Sequence, residues 1–256
     1  MIELDPIASA AGARLLAYDE IDSTNAEALR LMRQGEQGPL WITAERQTAG
    51  RGRRGRSWIS VAGNLHASLL LTDPGPVDQW PQISFVAALA VHDAVVELAP
   101  EIRPMLELKW PNDLLLAGAK FAGILIEGEG REEEGAVAIG IGVNCTAHPE
   151  ETDYPATDLA AAGASISAAA LFAALSVKLP GRLAQWHSGN GFATIRADWL
   201  ARAAGLGESI RIGLADRELA GRFEGLDDDG CLVLVDPEGG KTVVAAGDVI
   251  SFEGSR

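Results

Sequence analysis

Between residues 105 and 144 the chain reads as four short strands in close succession, at 105–110, 113–117, 120–127 and 136–144. Pro-Asn-Asp and Gly-Ala turn signals break this block, so strands dominate the middle of the chain. Before it, strands are expected at 14–20, 40–44 and 64–72, with helices at 23–34 and 81–99. Thr24 with Glu27 three residues on fits a capping box, and Ala28, Leu29 and Met32 make a narrow apolar stripe. Pro81 suits a first helical turn, and Phe85, Leu89, Val95 and Val96 recur at helical spacing. Residues 145–163 are polar and acidic and read as a mobile loop. Helices are expected again at 167–187 and 192–204. Near residue 205 the pattern changes to short alternating strands with turns at 227–230 and 237–240, the signature of a small β-barrel-like domain. The expected division is therefore 1–204 and 205–256.

A length of 256 residues suits one large domain with a small one. Hydrophobic residues at 47% and charged residues at 22% exclude a mainly disordered chain. Cys145 and Cys231 show no C-x-x-C spacing and cannot form a disulfide framework, which points to a reducing, cytoplasmic setting. The acidic start and the lack of a run of about 18 apolar residues argue against export and against a membrane span. A net charge of −15 argues against sequence-independent binding of nucleic acid or anionic membrane, because phosphate neutralisation needs a positive face.

One segment departs from that balance. Arg46, Arg51, Arg53, Arg54 and Arg56 fall within eleven residues that contain no acid. Gly50, Gly52 and Gly55 allow the backbone between them close approach and positive φ, while the guanidinium forks match carboxylate or phosphate. Such a loop suits two neighbouring anions. It is expected to be mobile when empty, because its like charges repel and its glycines lose entropy on ordering. A solvated basic loop or a polyanion patch is the bland alternative.

Leu106, Leu108 and Trp110 alternate with Glu107 and Lys109, so the lysine stands on the opposite face from the apolar residues. Pro111 ends that strand and leaves Asn112 and Asp113 at the turn. Lys109 is then either a positioned cation or an ordinary surface partner of Glu107. Farther on, Ala138, Gly140, Gly142 and Asn144 share one strand face, which reads as a hollow with Asn144 at its rim unless another group fills it. His66, His92, His148 and His187 are too scattered to suggest a metal site, Ser23, Thr24 and Asn25 fit a plain helix cap, and Cys145 has no evident base.

Together these segments resemble the biotin protein ligases. Residues 50–58 are similar to that family's G-R-G-R-x-G-R-x-W, 109–113 to K-W-P-N-D, 120–127 to K-x-x-G-I-L-x-E, 140–144 to G-x-G-x-N, and 23–25 to S-T-N. The resemblance implies an α+β fold: a mixed β-sheet with flanking helices, of the class II aminoacyl-tRNA synthetase-like type, plus a small SH3-like β-barrel. It implies a two-step reaction in which biotin and ATP form biotinyl-5'-AMP, with Mg2+ on the phosphates, before transfer to a lysine of an apo biotin carboxyl carrier protein. By position Ser23, Thr24, Asn25, Gln47, Arg51, Gly52, Arg53 and Lys109 match biotin-contacting residues. Arg53, Arg56, Trp58, Lys109, Asn112 and Asn144 match the ATP side, and Lys109, Arg51 and Arg53 carry the catalytic roles. Lys120 matches well too, with a solvent-exposed hairpin lysine as the alternative reading. In some members an aromatic or apolar residue from the stretch equivalent to 158–166 closes over the adenine, and this stretch has no aromatic here. The chain begins almost directly with the catalytic domain, as in monofunctional members that do not bind DNA, and the family makes a homodimer an expectation. A lipoate or octanoyl ligase of the same fold is the neighbouring alternative, and a nucleic-acid-binding protein using the arginine loop is the alternative of another class.

Overall fold

A computed structural model describes residues 2–131 and 134–253; residues 1 and 256, the outer limits of the two expected units, lie outside it. In chain order the elements are α1 (Pro6–Ala10), β1 (Arg14–Ile21), α2 (Thr24–Arg33), β2 (Leu40–Gln47), β3 (Leu65–Thr72), α3 (Ile83–Leu98), β4 (Leu106–Lys109), β5 (Asp113–Leu116), β6 (Ala119–Arg131) and β7 (Glu134–Val143). There follow α4 (Ala168–Trp186), α5 (Phe192–Leu200), β8 (Ser209–Gly213), β9 (Glu218–Leu226), β10 (Leu232–Val235), β11 (Lys241–Val244) and β12 (Asp248–Glu253).

Seven strands form one mixed sheet in the order β1-β2-β3-β7-β6-β5-β4, with β1 and β2 parallel and the other neighbours antiparallel. Its two faces are built differently. Trp41, Leu65, Leu69, Ile139 and Ile141 pack under α3 and α4, where Phe172 meets the Trp41 ring edge-on at 5.2 Å. Among the described residues, the one helix packed on the face carrying Leu40, Ile42, Leu70, Ala136 and Ala138 is α2, through Ala28 and Leu29, so much of that face is left to carry a site. The stretch Val77–Leu98 is long and apolar enough to cross a membrane by composition, but 72% of its apolar window is buried inside the protein. A helix hydrophobic all round belongs in a core, and α3 lies there.

Several local expectations shift. Ser23, not Thr24, caps α2, its Oγ accepting from Ala26 N at 3.4 Å. Glu27 accordingly leaves the capping box and accepts from the Tyr18 hydroxyl at 3.0 Å. Pro81 sits in a 3-10 turn, Val77–Gln82, and α3 starts after it. The short α1, capped by Asp5, lacks the length for periodicity to reveal it. The stretch 145–163 contains no helix or strand but is laced down: Asn64 Oδ1 accepts from three successive backbone N–H groups, Cys145 to Ala147, and residue 156 bridges to Lys120.

The last five strands make an antiparallel sheet in the order β11-β10-β9-β8-β12. Ile210, Ile212, Phe223, Leu232 and Leu234 bury one face, continuous with the main core. Trp110 Nε1 donates to the Gly230 carbonyl at 3.2 Å, and Gly230, at φ +86°, lies so close to Phe85 that a Cβ would come within 2.7 Å of its ring. The chain leaving α5 also pairs along β4, Leu108 with Ala203, which covers that edge of the large sheet.

Candidate active site

The free face of the large sheet opens as a narrow cleft of about 70 Å³ above β6 and β7. Its floor is cleared by the glycines. A Cβ on Gly140 would lie 2.5 Å from Asn25 Oδ1, and one on Gly142 2.5 Å from the Trp58 indole. The glycine face is therefore not an empty hollow: two side chains from other elements fill it, and those same side chains wall the cleft.

One end is lined by neutral polar side chains, Ser23, Thr24, Asn25 and Gln47. Ser23, Thr24 and Asn25 open α2 and are buried, although they sit at a helix start. Thr24 N donates to Gln47 Oε1 at 2.9 Å, and the Ser68 hydroxyl donates toward Asn25 Oδ1 at 2.6 Å. Asn25 Nδ2 donates to Glu127 at 2.9 Å, and Gln47 Nε2 donates to Ser60 Oγ at 3.1 Å. These interlocked amides and hydroxyls fix donor and acceptor directions, which a helix cap alone does not require. Ser68 joins the network by register, with no motif in the sequence to mark it, while Glu127 is the acid that closes the 120–127 motif.

The other end is cationic. Residues 50–58 arch over the cleft with Arg51, Gly52, Arg53, Arg56 and Trp58 on its wall. Arg54, at φ 56°, and Gly55, at φ +72°, turn the loop, and Gly52 N donates to the Arg56 carbonyl at 2.7 Å. The loop has partners elsewhere in the protein: Arg51 pairs with Glu127 at 2.9 Å, and Arg53 Nη1 donates to Asn112 Oδ1 at 3.2 Å. Burial pulls the Arg53 guanidinium below its ordinary value, with the Asp248 carboxylate opposing.

Lys109 pairs with Asp113 and Asp113 with the cleft residue Gly123, so the lysine stands on the cleft face of the sheet, among the charges of Asp113, Lys120, Asp248 and Arg56. It ends β4, the outermost strand, and lines neither this cleft nor the adjoining one. Two strands inward, Lys120 stands in the cleft, 2.6 Å from Asp113 and between the rings of Trp58 and Tyr154, at 5.7 and 5.2 Å from their centroids. Burial lowers the Lys109 ammonium below the usual lysine value, with Asp113 opposing.

A second cavity, about 500 Å³, shares Arg56, Ser57, Trp58, Lys120 and Tyr154 with the first and extends to Asn144 and residues 149–156. Asn144 is buried and donates to the Thr157 carbonyl at 3.0 Å, which ties the long loop to the end of β7. Asn112 lines the first cavity, donating to the Ile124 carbonyl at 2.7 Å while accepting from Arg53. Tyr154 is the wall aromatic that sequence reasoning missed, because it precedes the stretch 158–166 in which one was sought. Among the described residues the buried Trp58 indole N–H has no hydrogen-bond partner, a donor left for a ligand. Burial pushes the Cys145 thiol up to about 12, so it cannot serve as a nucleophile at neutral pH.

The comparisons agree with this architecture. Residues 18–144 match the Biotin/lipoate A/B protein ligase family, and residues 205–250 match the Biotin protein ligase C terminal domain. The chain is 44% identical to a biotin–[acetyl-CoA-carboxylase] ligase of Paracoccus denitrificans over 88% of its own length and 95% of the relative's. It is 37% identical to the ligase of the same name from Mycobacterium tuberculosis, over 89% and 85%. The biotin protein ligase of Aquifex aeolicus solved in complex with biotin and ATP superposes with a TM-score of 0.79 at 27% identity, covering 94% of this chain and 99% of that one. With the matched segments spanning both the arginine loop and the last sheet, the chain belongs to the biotin/lipoate protein ligase family, in its biotin protein ligase branch.

Proposed function

We propose that this chain activates biotin with ATP to biotinyl-5'-AMP and transfers the biotinyl group to a lysine of a biotin carboxyl carrier protein. The observation that carries the reading is the polarity of one continuous cleft. Neutral amides and hydroxyls crowd one end, a glycine-cleared floor lies beneath, and guanidinium and ammonium groups occupy the other end. That gradient suits an uncharged polar head on an apolar body with a carboxylate tail, whose tail must meet a triphosphate.

The first step brings two anions together, the carboxylate oxygen attacking the α-phosphorus as pyrophosphate leaves. Lys120, Arg51, Arg53 and Arg56 are placed to neutralise that approach and the charge on the departing phosphates. In the second step an acceptor ε-amine attacks the acyl carbon of the mixed anhydride and AMP leaves. Neither step needs a covalent nucleophile from the protein. Ser23, Thr24, Asn25 and Gln47 are assigned to the polar head, and Trp58, Tyr154 and Asn144 to the nucleotide. The described residues contain no cluster of three or more metal-ligating side chains, and Asp113 is engaged by Lys120. A magnesium ion therefore fits here as a companion of the phosphates, where it would offset their charge, rather than in a cage of this chain. Because the cleft is narrow, substrate entry has to move the 50–58 loop, and its return would exclude water from the adenylate.

The test is exchange of labelled pyrophosphate into ATP. The expected result is exchange that depends on biotin, with transfer of biotin to an apo carrier domain. Exchange supported by octanoate or lipoate and not by biotin would overturn the substrate assignment.

A further inference from the structure

We propose that Asp248, the first residue of β12, is a positioning residue for the nucleotide end of the site and acts through the arginine loop. The inference rests on the ligase reading above. Its carboxylate meets three arginines of that loop: Oδ1 lies 3.2 Å from both Arg53 Nη1 and Arg56 Nη2, and Oδ2 lies 3.2 Å from Arg54 Nη1. The adjacent Gly247 carbonyl accepts from Arg53 Nη1 at 3.3 Å. These contacts cross from the last sheet to a loop nearly two hundred residues earlier, so the fold, not local sequence, creates them.

The loop has a problem that this contact solves. Guanidinium groups packed within four residues repel one another, and Arg54 holds a left-handed backbone conformation that its neighbours have to enforce. An acid inside the loop would quench its charge one for one and stand in the way of an incoming phosphate. A single carboxylate shared by three arginines, supplied from outside, gathers them and leaves surplus positive charge. Arg53 and Arg56, but not Arg54, line the cleft, so Asp248 grips the loop from the side while two of its partners still face the site. The pairs are only partly exposed, with the Asp248 side chain at 28%, and a three-partner network holds its geometry better than isolated surface pairs do. Asp248 is held in turn by β12 pairing with β8, where Gly247 lies so near Ile212 that a Cβ would come within 2.7 Å of it.

Asp248→Asn keeps the shape and removes the charge. In biotin-dependent pyrophosphate exchange by the full chain, the KM for ATP should rise about tenfold while the KM for biotin stays within about twofold. Asp248→Glu should recover most of that loss, a rescue a merely structural role would not predict. Without nucleotide, trypsin should cut after Arg53, Arg54 or Arg56 about tenfold faster in Asp248→Asn than in the unaltered protein. An unchanged KM for ATP overturns the inference. A lowered one overturns it as well, because it would make the carboxylate a competitor of the phosphates. If the unaltered protein shows no exchange at all, the ligase reading fails, and the trypsin comparison then decides alone: equal cleavage in the two proteins overturns the bracing role.

Discussion

Lys109 and Lys120 look alike in the sequence, each at one end of a short strand beside a turn, yet the fold gives them different surroundings. Lys109 closes the outermost strand, on the sheet face that Asp113 and Gly123 share but outside the cavity walls, while Lys120 stands between two aromatic rings in the cleft. Lys120 owes its place to one extra residue. Along β6 the register with β5 shifts, Leu114 facing Ala122 and Leu115 facing Lys120, so Phe121 is the residue left over. Regular alternation, counted back from Gly123 and Leu125 on the cleft side, would turn Phe121 toward the cleft and Lys120 into the core. The bulge reverses both: Phe121 is fully buried, and Lys120 lies over Gly123 with its Nζ 3.4 Å from where a Cβ would be.

The largest effect expected tests that difference directly. Lys120→Met should lower biotin-dependent pyrophosphate exchange by about 10²–10³-fold, the scale of one preorganised charge stabiliser, while Lys109→Met should lower it by about tenfold or less. The opposite ranking would break the comparison and restore Lys109 to the centre of the site.

Gly142→Ala comes next, because it attacks the surroundings of Lys120 without touching the ammonium. A methyl 2.5 Å from the indole forces Trp58 off the floor, and activity should fall roughly tenfold with a shift in tryptophan emission, since displacing a packed ring costs about 1–3 kcal/mol. Gly123→Ala is the milder companion, its nearest neighbours being 3.2 Å away or more and partly the mobile end of Lys120. Equal effects at the two glycines would argue that Trp58 has no fixed place.

What the sequence makes legible follows the same logic. The strand succession, the apolar faces of β4 and β7 and the clustering of 50–58 are local patterns, and they are where they were expected. The cap at Ser23 was off by one because Thr24 satisfies the same motif, but its N–H and hydroxyl are already committed to Gln47. The Lys120 bulge left a trace that could have been read: Phe121 and Ile124, three apart, are both core residues, and one strand face cannot supply both without a slip. Tyr154 and Asp248 left none. Their roles arise where a long loop and the second sheet fold back on the first, and no spacing encodes such a meeting.

A smaller effect separates the two rings that flank Lys120. Tyr154→Ala should raise the KM for ATP about two- to tenfold, the scale of one partly desolvated cation–π contact, with less change in the KM for biotin, because Tyr154 also lines the second cavity. Trp58→Ala should disturb both constants, since its ring rests on the floor shared by the two ligands. A Tyr154 variant impaired for biotin alone would place the nucleotide elsewhere.

The smallest expectation concerns stability, and it isolates Lys109. Burial lowers the pKa of its ammonium in the folded chain, so the unfolded chain binds this proton more tightly. The sign follows from linkage: stability rises with pH wherever the unfolded state holds more protons. Below the folded value both states are charged, and the fold bears the full cost of the buried ammonium. As pH climbs from there toward about 10.4, the ordinary lysine value, the folded chain releases the proton first and the cost disappears. Lys109→Met, which never bears it, should thus gain most over the unaltered protein near neutral pH, and the gap in Tm should narrow toward pH 10. A gap that widens with pH would mean that Asp113 and Asp248 hold the Lys109 charge more firmly than burial opposes it, and Lys109 would then belong with Lys120 among the site's working cations.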